Sequence, residues 1–400
     1  LNTMASVTEE YVDNVVAKLI SALNVTDSRH TVCKLESVGQ NFFGVIIPIS
    51  VTGRCDMNEK TLDLILKLAP IDEKYRISGA VTMMFAREIY FYSKILQKYS
   101  EIQEKFPLGS KLVIPKCYYI CKEFCKEAIA MQNMCQENYQ PFTHSTVLDY
   151  EHITISLKAC ANLHALSFIF KEKYPNLYEE AAKACVPLSE LANKRFMGIL
   201  EDRLCKAIQK FENTKYVNLL MDFKENCIKY VEATAFSVNK LCICHGDLWK
   251  ENILFKYENK KPVSACLIDF QTTRMSSSAF DVIYLITCCT DFKVRKECYQ
   301  ELLDIYYDKF TETLALAGID SKDVYSREEL DSDLKVVAPG CLIIANTAFW
   351  LTNGLQEDGN IRSKHIWTTP EEKEAAVSKY KNIIQNIIED YHSYGYIQKN

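Results

Sequence analysis

Three side chains that carry oxygen atoms lie close together along the chain. The segment ICHGDLWKENILF (243–255) holds Asp247 and Asn252 between two strand-like runs, and the apolar run ACLIDFQ (265–271) leads into Asp269. Carboxylate and amide oxygens are ligands that Mg²⁺ prefers, and a carboxylate in a loop can also accept the proton of an alcohol. These residues predict a site for a divalent cation and a hydroxyl group.

The spacing of these residues is typical of phosphoryl transfer. Kinase catalytic loops read H-x-D-x-x-x-x-N and are followed by a metal-binding aspartate in a D-F-G turn. His245, Asp247 and Asn252 fit the first pattern position by position. Asp269 begins the second pattern, in which Gln271 replaces the glycine. We predict that Asp247 is the catalytic base and that Asn252 and Asp269 hold Mg²⁺.

Two charged residues of the N-terminal third extend this prediction. Lys67 lies in the alternating run LDLILKL (62–68), and Glu88 lies in a run with helical spacing, FAREIYFYSKIL (85–96). A lysine on a strand can reach the α- and β-phosphates of a nucleotide, and a glutamate on a helix is its natural partner. We therefore predict an ion pair between Lys67 and Glu88.

Two further segments are candidates for nucleotide contacts. VGQNFFG (38–44) precedes a strand, and its backbone N–H groups could cover a phosphate, although it is not a G-x-G-x-x-G turn. MQNM (131–134) lies where an adenine would meet backbone hydrogen-bonding groups. The candidate residues of the two segments are Gly39, Asn41, Phe42, Met131, Gln132 and Met134.

The composition is that of a folded protein with a sizeable core. The chain has 400 residues, 48% of them hydrophobic, and a net charge of −5. At roughly 100–200 residues per domain, two or three units are expected. No dense basic patch occurs, so we expect neither nucleic acid nor a membrane surface as a partner.

The location is predicted from the cysteines and the apolar segments. The 17 cysteines are an odd number spread over a long chain, which favours reduced thiols over a disulfide framework. The first ten residues lack the features of a signal peptide. The apolar run 336–351 is shorter than the roughly 20 residues of a membrane helix, so we expect a buried helix there. A cytoplasmic protein is predicted.

Hydrophobic periodicity predicts a mixed N-terminal part and a helical remainder. Strands are expected at 42–51, 62–68, 112–120 and 127–132, with a short strand-rich segment at 241–269. Helices are expected at 5–24, 80–99, 149–173, 188–212, 217–240, 279–290, 293–317, 329–355 and 370–394. The predicted organisation is a small nucleotide-covering lobe (1–130), a hinge (131–142) and a large catalytic and acceptor-binding lobe (143–400), with the site expected where the lobes meet.

These segments together resemble the insect ecdysteroid kinase-like family, also described as choline-kinase-like. The resemblance covers roughly residues 35–390 and includes HGDLWKENILFKY, LIDFQ, VGQNFFG, LILKLAP, FAREIYFYSKIL, PKCYY and LKACANLHALSF. It implies an α+β, bilobal protein-kinase-like fold, shared with choline kinases and aminoglycoside phosphotransferases. The small lobe would contain an antiparallel sheet, and the large lobe would be mainly helical.

The resemblance also implies an activity: ATP- and Mg²⁺-dependent phosphorylation of a hydroxyl on a small molecule, either a steroid such as an ecdysteroid or a hydroxylated xenobiotic. By position, Asp247 would be the base, Asn252 and Asp269 the metal ligands, Lys67 the phosphate-binding lysine and Glu88 its partner. Gln132 stands where an acidic residue is common in the family.

The acceptor is less well defined by the sequence. No A-P-E motif follows Asp269, which favours a small acceptor over a polypeptide. Asp281 is expected to hold the catalytic loop, and Tyr284, Phe349 and Trp350 are candidate pocket walls. Two alternatives stay open: a kinase for a choline- or aminoglycoside-type acceptor, and a pseudokinase that binds a ligand without turnover.

Overall fold

A computed structural model of the protein describes residues 7–32, 44–55, 58–73, 76–77, 80–355 and 367–398. The chain divides into two compact units. The first unit takes its residues from Leu1–Glu101, Val113–Pro141 and Leu254–Thr272, and the second from Ile102–Leu112, Phe142–Ile253 and Thr273–Asn400. The units are therefore interleaved along the chain, whereas the predicted lobes are each continuous. The nucleotide-covering and acceptor-binding roles of the predicted lobes stay predictions.

The described residues form ten strands. They are β1 (Thr26–Val32), β2 (Val45–Cys55), β3 (Asn58–Leu68), β4 (Cys117–Cys121), β5 (Ala128–Gln132), β6 (Tyr139–Pro141), β7 (Cys242–Cys244), β8 (Ile253–Glu258), β9 (Lys261–Leu267) and β10 (Arg274–Ser276). Strands β1 to β5 make an antiparallel sheet in the order β1-β2-β3-β5-β4. Strands β6, β8 and β9 make a second sheet, and β7 pairs with β10.

The helices are mostly in the second unit. The α-helices are α1 (Glu9–Ala22), α2 (Val81–Tyr90), α3 (Leu96–Gln103), α4 (Tyr150–Lys173), α5 (Pro175–Ala184), α6 (Glu190–Lys210), α7 (Val217–Glu225), α8 (Cys227–Phe236), α9 (Ser278–Cys289), α10 (Phe292–Ala315), α11 (Ser321–Val324), α12 (Arg327–Thr352) and α13 (Pro370–Ser393). A π-helical turn, Phe91–Ile95, joins α2 to α3. Short 3₁₀ turns occur at Leu108–Ser110, Met134–Glu137, Lys250–Asn252 and Phe270–Thr272.

The core of the first unit lies between α1 and the five-stranded sheet. Val12, Val15, Val16 and Leu19 recur at helical spacing and pack against apolar side chains of β2, β3 and β5. Side chains of β3 alternate between the two faces of the sheet. Leu64, Leu66 and Leu68 therefore enter this core, and the alternation directs residue 67 to the opposite face.

Two helices of the second unit are long and apolar enough, by length and composition, to cross a membrane. They are α4 and α12, and 83% and 72% of their most apolar windows are buried within the protein. The 336–351 run lies inside α12, where a buried helix was expected. Gly340 is needed there, because a Cβ at this position would overlap the backbone carbonyl of Tyr230 on α8.

The predicted fold class is confirmed: an antiparallel sheet in the N-terminal part is followed by a mostly helical remainder. Two local predictions are corrected. The strand expected at 112–120 begins only at Cys117, because Val113 makes an isolated bridge to Cys266 instead. The helix expected at 217–240 is two helices, α7 and α8, joined at Asn226. Strands β1, β6 and β10 and helices α5 and α11 were not predicted.

The thiols agree with a reduced protein in the part of the chain that the structure describes. The 15 cysteines whose side chains the structure describes are free, and many are buried. Cys242 and Cys244, with sulfurs 3.6 Å apart, lie next to His164 in the core of the second unit.

Candidate active site

Lys67 lies at the centre of a buried polar cluster in the first unit. Strand β3 carries it between β2 and β5, and its side chain is 2% exposed. Its Nζ donates to Glu88 Oε2 at 2.5 Å, Asp269 Oδ1 at 2.6 Å and Gln271 Oε1 at 3.3 Å. We call Lys67, Glu88, Asp269 and Gln271 the lysine cluster. The predicted contact between Lys67 and Glu88 is present, and Asp269 and Gln271 join it.

The turn that follows β9 brings Asp269 to this cluster. Asp269 adopts φ +69°, an uncommon left-handed conformation for a residue other than glycine. The ring of Phe270 then stacks on Phe91 with centroids 3.8 Å apart, and meets Tyr92 edge-on at 6.2 Å. Because Phe91 directly follows the helix that carries Glu88, this stack fixes the aspartate turn against that helix.

The lysine cluster holds more negative than positive charge. Burial would lower the pKa of Lys67, but Asp269 and Glu88 raise it above 10.5, so the lysine is a cation. Burial raises the pKa of Glu88 to about 7, which Lys67 opposes and Asp269 reinforces. One buried cation thus faces two carboxylates. A second cation beside Asp269, whose side chain is 11% exposed, would neutralise the excess charge.

The loop that carries Asp247 lies in the second unit, directly after β7. Asn252 Nδ2 donates to the Asp247 carbonyl at 2.8 Å and to its Oδ2 at 3.3 Å. The Tyr284 hydroxyl donates to Asp247 Oδ1 at 3.4 Å. The two carboxylate oxygens are therefore oriented from both sides. Tyr284 is buried, and its role as a pocket wall stays a prediction.

Asp281 binds the backbone of this loop. Its carboxylate accepts from His245 N–H at 2.7 Å and from Gly246 N–H at 3.0 Å. His164 Nε2 lies 3.2 Å from the same carboxylate, and the Tyr306 hydroxyl is 2.8 Å from Nδ1 of that ring. Asp281 thus has the place expected from the sequence, at the base of the loop.

Arg274 holds the other side of the same peptide. Its Nη1 donates to the Gly246 carbonyl at 2.8 Å, and its guanidinium lies 4.6 Å from the centroid of Phe280. Gly246 has φ +85°, which glycine adopts without strain. We call His164, Arg274 and Asp281 the loop-support group. The site residues predicted from the sequence include neither Arg274 nor His164.

Burial dominates the electrostatics of the loop-support group. It would lower the pKa of His164, but Cys160, Tyr306 and Asp281 together raise it well above 6.5. Burial would raise the pKa of Asp281, but His164, His245 and Arg274 lower it below 3.8. Both residues are therefore charged at neutral pH, and each stabilises the other.

Asn252 and Asp269 each offer an oxygen donor of the kind that suits Mg²⁺. The amide nitrogen of Asn252 is used by Asp247, which leaves the amide oxygen as its ligand atom. Asp269 supplies a partly exposed carboxylate in a cluster with excess negative charge. Hard oxygen donors of this kind are the ones that Mg²⁺ prefers.

The other residues predicted to contact the nucleotide lie in different surroundings. Met131 is buried and its sulfur accepts from the Tyr92 hydroxyl, while the backbone N–H of Gln132 donates to the carbonyl of Lys116, directly before β4. Met134 packs in a small core cluster with Tyr139. Gly39, Asn41 and Phe42 lie outside the described residues. Of the candidate pocket walls, Trp350 is buried edge-on against Tyr380, and Phe349 is partly buried.

An α+β chain with this lysine cluster and an H-x-D-x-x-x-x-N loop has the features of a kinase-like phosphotransferase. The family model of the Ecdysteroid kinase-like family matches residues 38–319, and the chain belongs to that family, whose members are small-molecule kinase-like proteins.

Similar proteins and structures are more distant. The chain is 22% identical over 254 residues to the uncharacterized oxidoreductase dhs-27 of Caenorhabditis elegans; the match covers 60% of this chain and 28% of that protein, so the chain spans little more than a quarter of its length. A GDP complex of wild-type aminoglycoside 2'-phosphotransferase-IIIa is 13% identical, with a TM-score of 0.47 and coverage of 93% of this chain and 98% of that chain. The choline kinase LicA of Streptococcus pneumoniae is 12% identical, with a TM-score of 0.41 and coverage of 95% and 99%.

Proposed function

We propose that the protein transfers the γ-phosphate of ATP, with Mg²⁺, to a hydroxyl of a small molecule. The proposed acceptor is a steroid such as an ecdysteroid, or a hydroxylated xenobiotic. The observation that carries the proposal is the lysine cluster, in which Lys67, Glu88 and Asp269 come together from three distant parts of the chain. Membership of the Ecdysteroid kinase-like family supports the choice of a small acceptor.

Asp247 is the proposed base. Its carboxylate accepts hydrogen bonds from Asn252 and Tyr284, which fix its orientation toward an incoming hydroxyl. As the hydroxyl oxygen attacks the γ-phosphorus of ATP, the bond from that phosphorus to the β,γ-bridging oxygen breaks and ADP leaves. The proton of the hydroxyl passes to the Asp247 carboxylate. Because the loop-support group fixes the backbone of the loop that carries Asp247, this loop needs little reorganisation during the proton transfer.

Lys67 is the proposed ligand of the nucleotide phosphates, with Glu88 as the residue that orients it. Asn252 and Asp269 would hold Mg²⁺. When bound, the ion neutralises phosphate charge and polarises the phosphoryl oxygens. The lysine cluster supports this assignment because its excess carboxylate charge favours a cation.

A small acceptor is further supported by the segment that follows the aspartate turn. Residues 273–283 are all buried, and α9 already begins at Ser278. An exposed segment on which a polypeptide could lie is therefore missing between Thr273 and Ile283. The cytoplasm is the proposed location, supported by the free thiols of the described cysteines.

Mass spectrometry of an acceptor pool tests the activity. The protein is incubated with ATP, Mg²⁺ and a mixture of ecdysteroids, plant phenolics, cholines and amino sugars, and products that gain one phosphate are identified. Asp247→Asn should lower turnover by about a hundredfold or more. Asp308→Asn, which changes an exposed aspartate on α10, is the matched control and should keep full activity.

Each outcome separates the alternatives. Phosphorylated choline or amino sugar in place of a steroid or phenolic would replace the proposed acceptor. ATP binding without any product across the pool would favour the pseudokinase. Full activity of Asp247→Asn on a phosphorylated acceptor would show that Asp247 is not the base.

A further inference from the structure

Gln271 stands where the kinase pattern has glycine, and its side chain links two charged groups. The residue is 3% exposed. Its Oε1 accepts from Lys67 Nζ at 3.3 Å, and its Nε2 donates to Asp269 Oδ2 at 3.2 Å. An ammonium group only donates and a carboxylate only accepts, so a single orientation of the amide satisfies both partners. Glycine at this position could make neither contact.

Lys67 has no N–H group to spare in this arrangement. An ammonium group has three donors, and those of Lys67 are directed to Glu88, Asp269 and Gln271. A phosphate oxygen can bind Lys67 only if one of these contacts is released.

The contact that can be released is the one with Asp269. The Asp269 side chain is 11% exposed, compared with 1% for Glu88 and 3% for Gln271. It is also the carboxylate to which a divalent cation would bind, and a cation there would replace the charge of the lysine. Release of Lys67 Nζ from Asp269 Oδ1 would leave both residues bonded to the Gln271 amide.

We propose that Gln271 is a positioning residue that keeps Lys67 and Asp269 aligned when their direct contact is released, and so couples the binding of a divalent cation to the binding of a nucleotide. This inference rests on the proposed function. A neutral amide suits the role because it bonds to both charges without adding one. A carboxylate at this position would be a third acid beside a single lysine.

Calorimetric titration of ATP, with and without MgCl₂, tests this coupling in the full chain. The quantity measured is the factor by which Mg²⁺ raises the affinity for ATP. Gln271→Met keeps the size of the side chain but makes neither hydrogen bond, and it should lower this factor about tenfold. Its affinity for ATP without Mg²⁺ should stay the same or rise, because one N–H of Lys67 becomes available.

Two further variants keep the test decisive. Gln271→Glu still accepts from Lys67 but cannot donate to Asp269, so it should also lose coupling. Gln103→Met is the matched control, because the Gln103 amide likewise bonds at both ends, to the backbone N–H and carbonyl of Leu112. It should leave the coupling factor unchanged.

The results also separate this inference from the proposed function. If the unmodified protein binds ATP with Mg²⁺-dependent affinity and both Gln271 variants keep the same factor, Gln271 has no positioning role and the proposed function stands. If the unmodified protein binds no ATP with or without Mg²⁺, both the function and this inference are overturned.

Discussion

Lys67 and Asp247 are both proposed functional residues, but the protein positions them by different means. Lys67 is held by other side chains, and its three contacts all go to the lysine cluster. Asp247 is held largely through its loop, whose peptide groups bond to Asp281 and Arg274. The lysine cluster contains the proposed phosphate ligand, Lys67, and a proposed cation ligand, Asp269, whereas the loop-support group supports the loop of the proposed base.

The two groups also differ in their balance of positive and negative charge. In the loop-support group two cations, His164 and Arg274, surround the single buried carboxylate of Asp281. In the lysine cluster two carboxylates surround one cation, and one of them can take up a proton near neutral pH. We therefore expect changes in the loop-support group to cost stability, and changes in the lysine cluster to cost binding.

Removal of the Asp281 carboxylate should have the largest effect. Asp281→Ala leaves His164 and Arg274 as buried cations and leaves two loop N–H groups without their acceptor. Breaking a buried charge pair in this way costs about 3 to 5 kcal/mol. Denaturant unfolding measures the loss. Asp333→Ala is the matched control, since Asp333 is a buried aspartate whose partners are the neutral hydroxyls of Ser277 and Tyr325. If Asp333→Ala loses more unfolding free energy than Asp281→Ala, the charge partners of Asp281 are not the source of its larger expected effect.

Replacement of Arg274 should cause the second-largest loss of unfolding free energy. Arg274→Met keeps an apolar stem against Phe280 but leaves the Gly246 carbonyl without its donor, which costs about 2 kcal/mol. The loss is smaller than at Asp281 because a buried guanidinium, with its own desolvation penalty, is removed at the same time. Amide hydrogen exchange measures the effect on the loop. We expect faster exchange in the loop that carries Asp247 and an unchanged exchange rate in α1. Unaltered exchange in that loop would show that Arg274 does not hold it.

The difference between the two groups also explains what the sequence could predict. Asp247 and Asn252 lie five positions apart on one loop, and Lys67 lies on an alternating strand, so local spacing was enough. Arg274 and His164 act on a backbone carbonyl and on a buried carboxylate, 28 and 117 positions away. No spacing rule reports such contacts. A polar ring on the apolar face of α4 was the available signal, because buried polar groups need partners.

The same reasoning accounts for the errors in the fold. Strand β1 was missed because its residues, TDSRHTV, are almost all exposed and show no apolar alternation. The predicted helix 80–99 was placed correctly. It contains a π-helical turn that was not predicted, and the first residue of this turn, Phe91, stacks on Phe270, which is distant in sequence. Periodicity therefore located the elements with one buried face, and the contacts between distant elements required the structure.

Replacement of Lys67 should cost little stability and much binding. Lys67→Met leaves Glu88 and Asp269 buried together, but Glu88, with its pKa near 7, can take up a proton and remove the repulsion. We expect a loss of about 1 kcal/mol or less in unfolding free energy, and no measurable ATP affinity in calorimetry. A loss as large as that of Asp281→Ala would remove the distinction between the two groups.

The pH dependence of the His164–Asp281 pair should give the smallest effect. A histidine with a raised pKa stabilises the fold fully below its unfolded value of 6.5, and this contribution is lost as the pH rises through the folded value. An aspartate with a lowered pKa contributes fully above 3.8 and loses this as the pH falls. The His164–Asp281 pair therefore stabilises the fold most between pH 3.8 and pH 6.5. The stability advantage of the unmodified protein over His164→Gln should decrease when unfolding is measured at pH 8.5 instead of pH 6. An advantage that grows with pH would mean that His164 is neutral in the folded protein, and that Asp281 is held by Arg274 and the loop alone.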